Sequence, residues 1–258
     1  MKALDLSFSA ASLSWCQAQK AAGWDLLVVN LWTGASSPSP ARANLANARQ
    51  AGMLTAGYTV VNNLSGNTAI NKAATAAGPE WAHLAFVSVD VEVATTAAIV
   101  REAVNGLRAQ GKLVCIYTGG WFWNSFTLAG QDFGDVPCWL ADYDGNPALD
   151  TAPLTKLGPV IGKQYRNSHN LGGVTVDANT FDDSFIQEVE MTPEQLALLM
   201  ALKEAMFGGG APDGADRISA VDRKVEEVKV RVAALEAAPG GRHSHQLSAT
   251  VTGMTEEA

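Results

Sequence analysis

Asp90 and Glu92 stand two residues apart at the end of the apolar run AFVSVDVEV, Ala85 to Val93. The run lies between Pro79 and a polar helical pattern that starts at Thr95, and it reads as a buried strand. Side chains at i and i+2 of a strand point the same way, roughly 6–7 Å apart at ~3.3 Å rise per residue. The two carboxyls therefore project together from an otherwise hydrophobic strand. Such a pair is costly unless it opens into a cleft or does chemistry; the plainer alternative is a strand end whose acids cap a helix or meet a basic neighbour. Two further acids lie within strand-like runs, Asp5 in LDLSF and Asp177 in VTVDANTF.

The elements that must position these acids follow from periodicity. Strands are expected at 4–8, 26–32, 54–61, 85–93, 113–118, 136–143, 160–166 and 174–181. Helices are expected at 13–22, from Pro38 and Pro40 through Gly52, at 68–77 and at 95–110, where Ile99, Ala103 and Leu107 recur at i, i+4, i+8. The stretch GGWFWNSFTLAGQDFG supports one short helix at most. Between the seventh and eighth strands the spacing falls below what a βαβ crossover needs, so the last strands join by loops or a hairpin. Eight strands with helical crossovers only in the early part define an α/β fold, a (β/α)5(β)3 TIM-like barrel. In a parallel barrel the active site forms at the C-terminal strand ends. The first and eighth strands meet when it closes, which sets Asp5 beside Asp177, with Asp90 and Glu92 facing them. Converging acids suit glycoside hydrolysis, in which one carboxyl stays protonated for the leaving oxygen and neighbouring charges raise its pKa.

The motifs LDLS, AGYTVV, VDVE, IYTGGWFW, PCWLADY, GKQY and VDANTF, in that order over about residues 3–183, resemble the lysozymes of glycoside hydrolase family 25, the muramidases of bacteria, fungi and bacteriophages. The resemblance implies a flattened (β/α)5(β)3 barrel that cleaves the β-1,4 bond between N-acetylmuramic acid and N-acetylglucosamine in peptidoglycan, with no cofactor required for catalysis. By motif, Glu92 resembles the general acid. Asp90 would orient the reacting sugar's acetamido group or stabilise positive charge at its anomeric carbon, and Asp5 and Asp177 would tune the pair. Two positions depart from the family pattern: Leu4 replaces a common glycine, and Lys163 replaces the tryptophan common in the seventh-strand Trp-Gln-Tyr. Both leave the acids intact and bear on the substrate range.

Aromatics with a polar edge suit pyranose rings, and Tyr58, Tyr117, Trp121, Trp123, Trp139 and Tyr143 fall at or just after strand ends. About half would be core fillers, Trp139 foremost among them. Gln164 could bond the sugar or serve structure alone. In ADYDGNP, Asp142 and Asp144 read as turn acids, with Asp142 also able to line the cleft.

The 258 residues carry a net charge of −8 and are 47% apolar, which provides a core and argues against nucleic acid or an anionic membrane as partner. No run reaches the ~20 apolar residues of a membrane span. Asp5 interrupts the only apolar N-terminal stretch, so no signal peptide is expected. Cys16, Cys115 and Cys138 lack metal-ligand spacing and read as free thiols.

Residues 1–190 form the expected barrel. A helix and a Gly-rich linker follow over 191–214, then a coiled coil over 215–238 and a polar tail over 239–258. Ile218, Val221, Val225, Val228, Val232 and Leu235 step by 3 and 4, and β-branched residues at both seam positions favour a parallel trimer. His243 and His245 share a face of an extended chain, so three chains would present six imidazoles to a transition-metal ion. Together these features suggest a phage lysin or a virion-borne wall-degrading protein, made in the host cytoplasm and acting on the cell wall. The alternative is a non-catalytic glycan-binding tail protein that retains the barrel.

Overall fold

The computed structural model describes residues 1–187, which fall in the first of the two units into which the chain divides, Met1–Val189. The expected helix and linker over 191–214, the coiled coil over 215–238 and the His243/His245 pair lie outside the described residues.

Eight strands close a barrel in chain order: β1 (Lys2–Leu6), β2 (Leu26–Trp32), β3 (Leu54–Val60), β4 (Val87–Asp90), β5 (Val114–Gly119), β6 (Cys138–Ala141), β7 (Val160–Leu171) and β8 (Val174–Phe181). Helices α1 (Leu13–Ala21), α2 (Ala41–Gln50), α3 (Gly66–Ala77) and α4 (Ala97–Ala109) cross between the first five strands; α5 (Gly120–Trp123) is a single turn, and α6 (Asp183–Gln187) follows β8. Hydroxyls of Ser12, Ser65 and Thr96 cap α1, α3 and α4 by accepting the backbone N–H of Trp15, Thr68 and Ile99, the preferred chemistry of a helix start. Helix α4 buries Val100, Ala103, Val104 and Leu107, one stripe of a 3.6-residue period.

Strand parity separates two cores. Ala3, Val28, Ala56, Phe86, Cys115, Trp139 and Phe181 fill the barrel, while Leu4, Leu6, Leu27, Val29, Val87 and Val89 pack outward beneath the helices. The same parity puts Asp5 on the inner face with Ala3, Asp90 with Ser88, and Asp177 with Asn179 and Phe181.

Two expectations are corrected. First, the barrel is parallel only through β7; β8 runs antiparallel to both β7 and β1. Leu171 pairs with Val174 across Gly172 and Gly173, at φ 60° and 85°. That two-residue primed turn needs positive φ at both positions, which glycine supplies. The hairpin lengthens β7 to Leu171, beyond the expected Arg166, and Asp177 reaches the mouth in the first half of its strand. Second, β4 ends at Asp90, so Glu92 stands just past the strand. The Val91 N–H still bonds Tyr117 O at 2.9 Å, keeping the departing backbone against β5.

The loop after β1 is fastened from α2. Asn44, 2% exposed, accepts the Ala11 N–H at 2.8 Å and donates to Ser9 O at 2.9 Å. Asn44→Ala should orphan the buried Ala11 N–H and the part-buried Ser9 carbonyl and cost about 1–3 kcal/mol. Urea unfolding of the full chain beside wild type measures it; an unchanged midpoint would show that the loop is held by other contacts.

Candidate active site

The inward acids meet in a cleft of about 370 Å³ at the barrel mouth, lined by Asp5, Ser7, Asn30, Tyr58, Asp90, Glu92, Tyr117, Trp139, Tyr143, Gln164, Ser168 and Asp177. Asp5 pairs directly with Asp177 across the β1–β8 seam. Gln164 Nε2 bridges them, donating to Asp5 Oδ2 at 2.8 Å and Asp177 Oδ2 at 3.2 Å. Asn179 Nδ2 donates to Asp5 Oδ2 at 2.7 Å, and Asn179 Oδ1 accepts the Trp139 indole N–H at 2.9 Å. Ser168, in the left-handed region at φ 49°, aims its backbone N–H at Asp177 Oδ1 at 2.5 Å. Tyr117 donates to Gln164 Oε1 at 2.7 Å and lies 3.3 Å from the Tyr143 hydroxyl. Ser7 and Tyr58 share a 2.8 Å hydrogen bond on the opposite wall.

All four carboxyls are held above their ordinary range. Burial pushes Asp5 up to about 7; the charge of Asp177 adds to this, while the Asn179 and Gln164 hydrogen bonds oppose it. Burial raises Asp90 well above the usual value, reinforced by Glu92 and Asp5. Glu92 rises through burial, and Asp177 rises by the same cause against the Ser168 N–H. Asp90 Oδ1 and Glu92 Oε1 are buried and have no hydrogen-bond partner among the described residues, and the same holds for Asn30 Oδ1 in that cleft. Asp90 is the deeper of the pair at 7% exposure, while Glu92 is half-buried.

The expected aromatics divide. Tyr58, Tyr117, Trp139 and Tyr143 line the acid cleft, Trp139 as a buried floor. Trp121, 58% exposed, stacks on Tyr143 with ring centroids 5.6 Å apart and lines a neighbouring compartment. Trp123 is not at the cleft. It is 2% exposed, packs against Phe126 and Phe133, and donates its indole N–H to Thr155 O. Residues 120–123 are helical, and two residues along a helix are turned to opposite sides, where strand parity would have kept Trp121 and Trp123 together. Gln164 lines the cleft, but its amide is committed to Asp5, Asp177 and Tyr117 rather than left for a sugar. Asn30 and Asn179 were missed. The signals were a lone asparagine in the apolar run LLVVNLW and the i+2 position after Asp177.

Among the described residues the exposed large apolar side chains are Phe8, Leu54, Leu64, Val93, Trp121 and Tyr143. All but Leu54 sit on segments that leave the C-terminal ends of strands, so they ring the mouth. No cluster of metal-ligating side chains occurs among the described residues, and no described helix is long and apolar enough to cross a membrane. The three cysteines are free and buried.

A closed barrel whose mouth gathers acids with raised pKa values and a rim of aromatic and apolar side chains defines a glycosidase-type site. The chain belongs to glycosyl hydrolases family 25, whose model matches residues 4–174, and it is a glycoside hydrolase. A relative from Dictyostelium discoideum named "Probable GH family 25 lysozyme 2" is 25% identical over 196 residues, covering 69% of this chain and 89% of the relative. Two solved structures share the fold. A family GH25 lysozyme from Aspergillus fumigatus is 19% identical at a TM-score of 0.57, covering 73% of this chain and 98% of its own. The CTP1L endolysin is 14% identical at a TM-score of 0.55, covering 89% and 99%.

The raised Asp5 pKa has a consequence for stability. Its folded value of about 7 exceeds the ordinary 3.8, so the native state holds a proton that the unfolded chain releases between those values. Asp5 therefore contributes stability below pH 3.8 that is lost as pH rises to about 7. Thermal melts from pH 4 to 8 should show that decline flattened in Asp5→Asn; an unaltered slope would place the excess proton on another group.

Proposed function

We propose that the chain is an N-acetylmuramidase that hydrolyses the β-1,4 bond between N-acetylmuramic acid and N-acetylglucosamine in bacterial peptidoglycan. The observation that carries the reading is the Asp90/Glu92 pair, both raised and both with an unsatisfied oxygen, at the open end of a family 25 barrel. The rim of apolar and aromatic side chains supports a long saccharide as substrate.

Glu92 is the general acid. Burial keeps it protonated nearer neutrality, and its partial exposure lets it reach a glycosidic oxygen bound in the cleft. As the C–O bond breaks, the Glu92 proton passes to the departing oxygen and positive charge grows at the anomeric carbon. Asp90 must be ionised for this step, its proton released to solvent beforehand, and its carboxylate then stabilises the growing charge. Asp90 also orients the acetamido group. Asp5, tied to Asp177 through Gln164, adds to the burial and the Glu92 charge that hold Asp90 high, while burial raises Glu92. Water then adds at the anomeric carbon and passes a proton to the Glu92 carboxylate, which restores the acid.

Likeness to the CTP1L endolysin over 89% of this chain supports a phage product, either a lysin or a virion-associated wall-degrading protein. The heptad seam over 215–238 supports a parallel trimer. Light scattering should give the full chain three times the protomer mass and a 1–190 truncation the monomer mass; equal monomer masses would end that idea.

A non-catalytic glycan-binding protein is the competing reading, and one assay separates the two. Wild type should clear purified cell walls and release reducing ends, while Glu92→Gln should lose about 10²–10⁴-fold in rate with its melting temperature retained. Wall binding by wild type without reducing ends would favour the binding protein. Comparable clearing by Glu92→Gln would displace Glu92 as the acid.

A further inference from the structure

Lys163 is 0% exposed, yet it carries a charge. It pairs with Leu140 of β6, whose side chain belongs to the outer core, so Lys163 points away from the barrel interior while its neighbour Gln164 points into the cleft. Among the described residues no helix covers β6 and β7 on that side. The segment from Asp142 to Pro159, without helix or strand, folds over them instead. Lys163 Nζ reaches up into it, 2.8 Å from Asp144 Oδ2, 3.4 Å from Asp142 Oδ2 and 3.9 Å from Asp150 Oδ1. Burial alone would lower the ammonium's pKa, but the Asp144 hydrogen bond and the charges of Asp142 and Asp144 outweigh it and hold the pKa above the ordinary value.

The two nearest acids bracket Tyr143. With Asp142 and Asp144 both drawn to the ammonium, the residue between them is turned the other way, and Tyr143 stands in the cleft with its hydroxyl beside Tyr117. The backbone agrees: the N–H groups of Asp142 and Gly145 bond Gln164 O and Tyr165 O at 3.0 Å each. Tyr143 is also the wall shared by the acid cleft and the adjoining compartment of about 560 Å³ that holds Trp121, Leu140, Thr151 and Leu154.

We propose that Lys163 is a positioning residue for substrate: by clamping Asp142 and Asp144 on the outside of the barrel it sets Tyr143 as the partition between two saccharide compartments of the cleft. This rests on the muramidase reading for its substrate but not for its geometry. Lys163 does not touch the reacting bond and acts through Tyr143. Ligand held at Tyr143 spans both compartments, so the clamp governs binding of glycan longer than the reacting pair.

The test uses the full chain with Lys163→Met, Tyr143→Ala and the double variant, assayed on soluble peptidoglycan glycan fragments. Lys163→Met keeps the stem and frees two acids that are already 39% and 43% exposed, so they can rehydrate. Each single variant should raise KM about five- to tenfold, the scale of one aromatic contact, with kcat within about twofold. The double variant should be no worse than either single one. Additive losses, or a fall in kcat at unchanged KM, would overturn the proposal. Asp144→Asn, altered at the exposed partner, should raise KM in the same direction, and an unchanged KM there would count against the clamp. An NMR ring-to-ring NOE between Trp121 and Tyr143 should be present in wild type and weakened in Lys163→Met. This readout needs no turnover: if wild type fails to cleave walls, the muramidase reading falls while the NOE still judges the clamp, and an NOE unchanged in Lys163→Met would sink the clamp alone.

Discussion

The mouth of this barrel depends on confining four carboxyls in one small cleft with, among the described residues, no cation paired to them. None of the ion pairs among the described residues involves Asp5, Asp90, Glu92 or Asp177. Neutral donors do the holding: the amides of Gln164 and Asn179 and the backbone N–H of Ser168. The difference is chemical. A lysine or arginine at that distance would hold the acids ionised and remove the proton that glycoside cleavage requires. Amides fix position while leaving burial and mutual repulsion to raise the pKa values, as they do at Asp5. Asn179 and Gln164 each use one end of the amide on the acids and the other on an aromatic ring, Trp139 or Tyr117. The hydrophobic floor and the charged mouth are therefore one network.

In the proposed mechanism, depth separates the roles of two acids of nearly identical chemistry. Asp90 closes strand β4 and shares the rigid inner face with Ser88. Glu92, with one more methylene and a backbone already leaving the strand, stands higher and wetter. A proton donor must approach a leaving oxygen that moves, whereas a stabilising carboxylate must lie still beneath the charge it faces. The end of β4 between the two residues supplies that distinction.

Strand parity made most of this legible from sequence. Asp5, Asp90 and Asp177 face inward because the residues beside them, Leu4, Leu6, Val89 and Val176, are needed outside. Parity failed where the local period changed. Trp123 was read with Trp121 as a rim residue, but a single helical turn sends it into the outer core. The direction of β8 was visible in the short spacing after the seventh strand, which allows a hairpin, and in the pair Gly172-Gly173, but not in the alternation, which looks the same in a parallel and an antiparallel strand. Asn30 and Asn179 carry no ionisable group and so give a weaker signal in the sequence, although a buried amide among apolar neighbours also demands a partner. Lys163 was visible as a departure from the family pattern, but its partners were not, because Asp142 and Asp144 looked like ordinary turn acids.

Strand β7 shows how closely opposite electrostatic solutions can be placed. On its inner face Gln164 holds acids through a neutral amide and lets their pKa values rise. One residue earlier, on the outer face, Lys163 holds acids through a full charge, and the pKa of Asp144 falls, driven first by the Lys163 hydrogen bond. The barrel wall between them separates a region that must exchange protons from one that must only hold a loop. Where α1 to α4 cover the early strands with apolar stripes, the helix-free section after β6 has no such stripe to offer. An ammonium buried under a loop and answered by acids at its surface can fasten that section without one. The cost is the desolvation of one lysine, and three carboxylates gathered within 4 Å offset it. Because those carboxylates flank Tyr143, the proposed clamp would link the fastening of this loop to the shape of the cleft.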